Sequence, residues 1–292
     1  MYSKRLILLC FILVLILTSC AQEVHNKSLF TKDTYPRVDG STATIPLSEK
    51  MAKTLLNLSE EESKEFIKHN TTHMAYDNLF NKTVDIIFVT EPSLEELALA
   101  EYKRIELEII PVVKEAFVFL ANKNNSINEL TVEEIQNIYQ DKITNWKELG
   151  GEDLEIIPYQ RPNNSGSQTL MQNIVMKNLK LMDAPKELRS STMGGLIENI
   201  ASYDNSDGAI GYSVYYYANT MYIKDTIKFI KVNGVEPNNE NIINESYPFT
   251  SAYYAVLRKD EPENSSARML LSWILSDEGQ ELAEQSGYVP LR

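Results

Sequence analysis

Apolar positions in this chain fall into short runs with two different spacings. Strand-like runs bounded by turn residues occupy residues 35–38, 84–89, 105–113, 116–120, 154–158 and 209–212. Between them, apolar residues recur every three or four positions, which predicts helices over 46–58, 94–100, 132–139, 167–179 and 267–275. Two ends are signalled chemically. Thr131-Val-Glu-Glu134 is a capping box, in which threonine and glutamate satisfy each other's backbone N–H groups. Ser276 caps a last helix that stops at Gly287, with Pro290 just beyond. Strands alternating with helices along the whole chain specify an α/β protein.

The first residues carry a different pattern. Lys4 and Arg5 precede an unbroken apolar run from Leu6 to Leu17, too short to span a bilayer comfortably, and Leu17-Thr18-Ser19-Cys20 follows. This is the layout of an export signal, and its last four residues resemble a bacterial lipobox. That resemblance implies cleavage before Cys20 and a lipid on its sulfur. Residues 1–19 are therefore read as a signal peptide and 20–34 as a lipid-anchored tether, placing the rest at the extracytoplasmic face of a bacterial cell membrane. Cys10 is the only other cysteine and lies in the leader, so the processed chain has no thiol for disulfides, metal or nucleophilic catalysis.

Charge narrows the partners. The formal net charge is −13, and loss of the leader removes two basic residues and no acidic one. Such a surface disfavours nucleic acid. It leaves room for a small-anion site built from local dipoles, because exposed charges beyond about 10 Å are screened at physiological salt. Catalytic signatures are missing. His25, His69 and His73 all lie in the first quarter, Ser165-Gly-Ser167 lacks the Gly-x-Ser-x-Gly elbow, and no dense metal-ligand spacing occurs. No enzyme, metal or cofactor is expected. The run Tyr215-Tyr216-Tyr217 reads as half-buried packing rather than as a sugar platform.

The candidate chemistry lies at two helix starts. Arg161-Pro-Asn-Asn-Ser165-Gly166-Ser167-Gln168-Thr169 follows a strand-like run and opens the pattern Leu170, Met171, Ile174, Val175, Leu179. Hydroxyls and a glycine there leave N–H groups pointing outward, and the helix dipole adds partial positive charge that suits a small anion. Arg161 can add a cationic fork. Taken alone, these residues would equally make an ordinary serine-rich cap beside a surface arginine. A second loop, Asp39-Gly40-Ser41-Thr42-Ala43-Thr44-Ile45-Pro46, joins the first strand to the first helix. Gly40 permits a tight turn, Pro46 suits the first helical turn, and Thr44 can cap while its hydroxyl points at a ligand. If the two loops face one another, Thr44 and Ser165 wrap the same tetrahedral guest.

At this point the sequence resembles the phosphate-binding lipoproteins that feed ABC-type phosphate importers. The resemblance rests on residues 39–46, on Val84-Asp-Ile-Ile-Phe-Val-Thr-Glu-Pro92, and on Leu130-Thr-Val-Glu-Glu-Ile-Gln-Asn-Ile-Tyr139. It continues through Ile143-Thr-Asn-Trp146 with Gly150-Gly151, Arg161 with Ser165-Gly-Ser-Gln168, Gly208-Ala-Ile-Gly-Tyr212 and Tyr247-Pro248. It implies a two-lobed periplasmic-binding-protein type II fold with a ligand cleft between lobes. Lobe 1 would comprise residues 35–121 and 213–292, and lobe 2 residues 122–212. It also implies phosphate as ligand, ABC permease subunits as partners, and a monomer. Carried over by motif position, Ser41, Thr42 and Thr44, the N–H of Ile45, and Thr72 and Thr90 would serve the anion from lobe 1. Arg161, Ser165, Gly166, Ser167 and Gln168 would serve it from lobe 2.

One position departs from the family pattern. Phosphate binders of the best-known type place an aspartate two residues before the proline of the Val84–Pro92 motif, where it accepts the proton of hydrogen phosphate and repels sulfate. Thr90 stands there in this chain, followed by Glu91. Either Glu91 reaches in and takes over the role, or it is solvated at a helix start. Another oxyanion or small metabolite as ligand, or a sensor or adhesin built on the same fold, therefore stays open, and Asp85 is expected to orient the loop.

Overall fold

A single long strand organises the molecule. The computed structural model describes residues 29–202 and 206–292. Its strands are β1 (Val38–Gly40), β2 (Ile86–Val89), β3 (Leu107–Asn122), β4 (Glu129–Leu130), β5 (Ile157–Pro158), β6 (Ala209–Val214), β7 (Ile227–Phe229), β8 (Lys231–Val232) and β9 (Thr250–Arg258). The main sheet runs β1-β2-β9-β3-β6-β5, with β7 also on β3, and β4 pairs β8 separately. Residues 107–116 of β3 pair antiparallel with β9, while Phe117–Ala121 pair antiparallel with β6. The two lobes thus share one strand, and partners change between Ala116 and Phe117.

The sequence pattern suggests two strands, 105–113 and 116–120, where the structure has one. Pro111 lacks a ladder donor, and the register against β9 shifts between it and Val113. The ladder continues because the charged pair in the gap finds partners. Lys114 Nζ donates to the Ile243 carbonyl at 2.7 Å and to Glu245 at 2.9 Å. Glu115 Oε1 accepts from the N–H of Ala116 at 2.8 Å and of Tyr216 at 3.2 Å.

Glu115 is buried at the crossing, and burial pushes its carboxyl from 4.5 up to about 7. A carboxyl raised in the folded state binds more protons there than in the unfolded chain. Stability therefore falls as pH climbs from the ordinary carboxyl range through about 7, then levels off. Glu115→Gln, which keeps the acceptor oxygen, should raise stability at pH 8 by about 2 kcal/mol and change little at pH 5. Urea melts at the two pH values check this; equal effects at both would refute it.

The expected lobe boundaries at 122 and 213 do not match the pairings. Phe229 to Ile227 pair with Leu120 to Asn122, and Lys231–Val232 pair with Glu129–Leu130. The far half of β3 needs a second edge partner, and β7 supplies it. The chain pairs with the first half of β3 again at β9. The tether reading also ends early, because Phe30 is buried and stacks edge-on against Tyr35, which meets Phe66. Cys20 and the leader lie outside the described residues.

Helices cover both faces. Ile45–Leu56, Leu94–Tyr102, Val132–Tyr139, Ser266–Ile274 and Asp277–Gln285 fall where periodicity and caps place them. The capping box is present: Thr131 Oγ1 accepts from Glu134 N at 3.1 Å and Glu134 Oε2 from Thr131 N at 2.7 Å, worth about 1 kcal/mol. The expected helix 167–179 is Gly166–Leu170 continued by a π-helical stretch, Met171–Met176, and Lys177 at φ 54° ends it. The tyrosine run is buried packing, with Tyr216 stacked on Tyr288 at 3.7 Å.

Candidate functional site

Four helix starts meet at one cavity of about 190 Å³. Ser41, Thr42 and Ala43 line it ahead of the helix Ile45–Leu56, and Thr71 and Thr72 at the start of Thr72–Phe80. Ser165, Gly166 and Ser167 come from the start of Gly166–Leu170, and Ser191, Thr192 and Met193 from that of Met193–Ser202. Thr90, at the end of β2, and Arg161 complete the polar wall, with Val214, Tyr217 and Tyr253 on the apolar side. Neither Ser41 nor Ser165 spends its side chain on capping its own helix. Helix dipoles from several directions raise the potential at this point, whatever the overall acidity of the surface.

Arg161 is the cation at this site. Its Nε donates to the Ser190 carbonyl at 2.9 Å, one terminal nitrogen to the Ser191 carbonyl at 3.2 Å, and the other lies 3.5 Å from Ser167 Oγ. The side chain is buried, and burial pushes its pKa below the ordinary value. Among the described residues it has no carboxylate partner within ion-pair distance. A buried guanidinium facing a hydroxyl-lined space without a counterion is set to receive an anion.

The loop carrying Ser41–Ala43 is fixed from below. Asp39, buried, accepts from Gly40 N and Asn70 N through Oδ1, at 2.7 and 2.8 Å. Its Oδ2 accepts from the side-chain amides of Asn70 and Asn78, at 2.7 and 2.8 Å. One carboxylate thus ties the first anion loop to the segment that delivers Thr71 and Thr72. A side chain at Gly40 would put Cβ 2.5 Å from the Phe88 carbonyl and 2.6 Å from His69, so only glycine fits there. Asp85, expected to orient the loop, holds the start of β1, accepting from the N–H and guanidinium of Arg37.

Four expected ligand residues do not line the cavity. Thr44 Oγ1 donates to the Phe88 carbonyl at 2.7 Å, because that carbonyl stands over the turn and also receives Ser41 N at 2.9 Å. The N–H of Ile45 is spent on the Thr42 carbonyl, which closes the same turn. Gln168 Oε1 accepts from Arg161 N at 3.1 Å and from the Tyr212 hydroxyl, so it positions the arginine from behind. Glu91 does not reach in; its Oε1 accepts from the Tyr254 hydroxyl at 3.0 Å. Ser41, Thr42, Thr72, Thr90, Arg161, Ser165, Gly166 and Ser167 do come together.

The fourth helix start was missed by sequence reasoning. Its signal is Ser190-Ser191-Thr192, two glycines, then apolar Leu196, Ile197 and Ile200. Thr192 Oγ1 caps that helix by accepting from Gly195 N at 3.0 Å. Among the described residues no group of three or more His, Cys, Asp or Glu could hold a metal, and no helix is long and apolar enough to cross a membrane.

Two α/β lobes built on a shared sheet, enclosing a hydroxyl-lined cavity with a buried cation, define the class of hinged solute-binding proteins. The chain belongs to the PBP superfamily domain family, whose model matches residues 31–278. It is 22% identical over 295 residues to the phosphate-binding protein PstS of Borreliella burgdorferi, covering 99% of each chain. Among solved structures it is similar to a Clostridium perfringens protein assigned as a phosphate ABC transporter substrate-binding protein, with bound phosphate. The TM-score is 0.68 at 25% identity, over 87% of this chain and 98% of that one. An ABC-type phosphate transport receptor from Vibrio cholerae shares the fold, with TM-score 0.63 at 16% identity, over 86% of this chain and 98% of that one.

Proposed function

We propose that this protein captures inorganic phosphate in the cavity between its lobes and hands it, chemically unchanged, to the permease of an ABC importer. The observation that carries this reading is Arg161, buried and without a carboxylate partner among the described residues, facing hydroxyls from four helix starts. The names of its relatives and the phosphate bound in the Clostridium perfringens structure point to the same ligand. Ser41, Thr42, Thr72 and Thr90 would hold the anion from one lobe, and Arg161, Ser165, Gly166, Ser167, Ser191 and Thr192 from the other. Donors on both lobes give the anion a higher affinity for the closed arrangement, so binding itself drives closure. The leader that precedes Cys20 supports a lipid-anchored, extracytoplasmic location, and the isolated protein would act as a monomer.

Calorimetric titration of the purified protein with phosphate should show saturable binding at one site per chain. Phosphate at a thousandfold over Kd should add about 4 kcal/mol of stability, read as a rise of several degrees in melting temperature. No heat and no thermal shift would remove phosphate as the ligand.

A further inference from the structure

The polar wall of the cavity contains no acceptor-only group. Among its described lining residues there is no aspartate or glutamate; every polar side chain is a hydroxyl or the Arg161 guanidinium. The carboxylates that follow Thr90 along the chain are held elsewhere. Glu91 accepts from Tyr254, Glu95 from Asn164 at 2.5 Å, and Glu96 from Ser93 N at 2.7 Å while also meeting His73 at 3.0 Å. Thr90 occupies the wall near Gly166: a Cβ on that glycine would lie 2.5 Å from Thr90 Oγ1. Thr90 is only 3% exposed, and its hydroxyl is a buried polar atom without a hydrogen-bond partner among the described residues.

We propose that Thr90 makes this site indifferent to whether a tetrahedral dianion carries a proton, so that sulfate competes with phosphate for the cavity. The inference rests on the oxyanion reading above. A carboxylate can only accept, and it repels an anion with no proton to give. A hydroxyl rotates: it accepts the proton of hydrogen phosphate, or donates its own to an unprotonated oxygen of sulfate. The two ligands then differ by about one neutral hydrogen bond, which is about tenfold in affinity. A carboxylate in the same place would set them apart by about a thousandfold.

Titration of the wild-type protein with phosphate and with sulfate, at one pH and ionic strength, tests this directly. Sulfate affinity within about tenfold of phosphate supports the proposal. Phosphate binding with sulfate weaker by about a thousandfold overturns it and leaves the phosphate reading intact. Binding of neither anion overturns both. Thr90→Asp should widen the ratio in favour of phosphate by about a hundredfold, chiefly by losing sulfate, and a folded Thr90→Asp chain that keeps the wild-type ratio refutes the role of Thr90. Thr90→Val, close in shape, should weaken both anions and leave their ratio unchanged. If it removed phosphate binding alone, the proposal would fail.

Discussion

Phosphate affinity should fall by about a thousandfold when Arg161 is replaced by methionine, while the ligand-free protein melts within a few degrees of wild type. The first half follows from what the anion loses. A charge-assisted hydrogen bond in a buried site is among the strongest a protein makes, and removing the cation also leaves the bound anion without its compensating charge. The second half follows from what the empty protein gains and gives up. Methionine frees the fold from keeping a desolvated guanidinium, whose pKa burial already lowers. It also strips the Ser190 and Ser191 carbonyls of their donors at 2.9 and 3.2 Å. These effects oppose each other and nearly cancel. Calorimetry with a parallel thermal melt reads both, and a loss smaller than about tenfold would mean that Arg161 does not face the anion.

Gly166→Ala should cost two to three orders of magnitude in phosphate affinity, and it should do so without unfolding either lobe. An alanine Cβ would lie 2.5 Å from Thr90 Oγ1 and 2.7 Å from Thr72 Oγ1, closer than carbon and oxygen approach, so these two hydroxyls must be displaced or the lobes move apart for it to fit. The position does not demand glycine for backbone reasons, since its φ is not among the positive values. Alanine in the first helical turn even favours the helix by up to about 1 kcal/mol. What is lost is the approach of two hydroxyls on one lobe to the cradle on the other, about two hydrogen bonds to a charged ligand. Small-angle scattering should show the variant holding one radius of gyration with and without phosphate. Wild-type affinity in Gly166→Ala would refute a closed cavity of this shape.

How far the chain could be read beforehand depended on how local each feature was. Arg161 and Ser165–Ser167 were legible because cation, hydroxyls, glycine and helix start are consecutive, and their chemistry needs no distant partner. Thr44 was not. Ser41, Thr42 and Thr44 are interchangeable on paper, and only the Phe88 carbonyl, placed over the turn by pairing of β1 with β2, decides which hydroxyl turns inward. Glu91 was undecidable for the same reason, since its partner Tyr254 is remote in sequence.

Among the elements absent from the sequence reading, β9 and the helix at Met193 escaped for physical reasons as well. β9 lies between β2 and β3, and Ala255, Val256 and Leu257 are all buried, so no polar alternation marks it. The helix at Met193 begins with Gly194-Gly195, which lowers its intrinsic propensity. Gly194 packs closely there, because the Tyr217 hydroxyl and the Tyr222 ring would lie 3.2 and 3.1 Å from a Cβ at its place. Demands imposed by distant aromatic rings leave no trace in neighbouring residues.

Because β3 passes unbroken from one lobe into the other, the halves are joined by a hydrogen-bonded rod and not by a slack linker. Such a joint allows bending about one narrow zone near Glu115 and resists free tumbling of either half. Most of the orientational entropy of bringing the two walls together is then spent during folding, once, and not at each encounter with a guest. In a receptor built this way the two walls meet a guest already aligned, and capture depends less on the search of one lobe for the other.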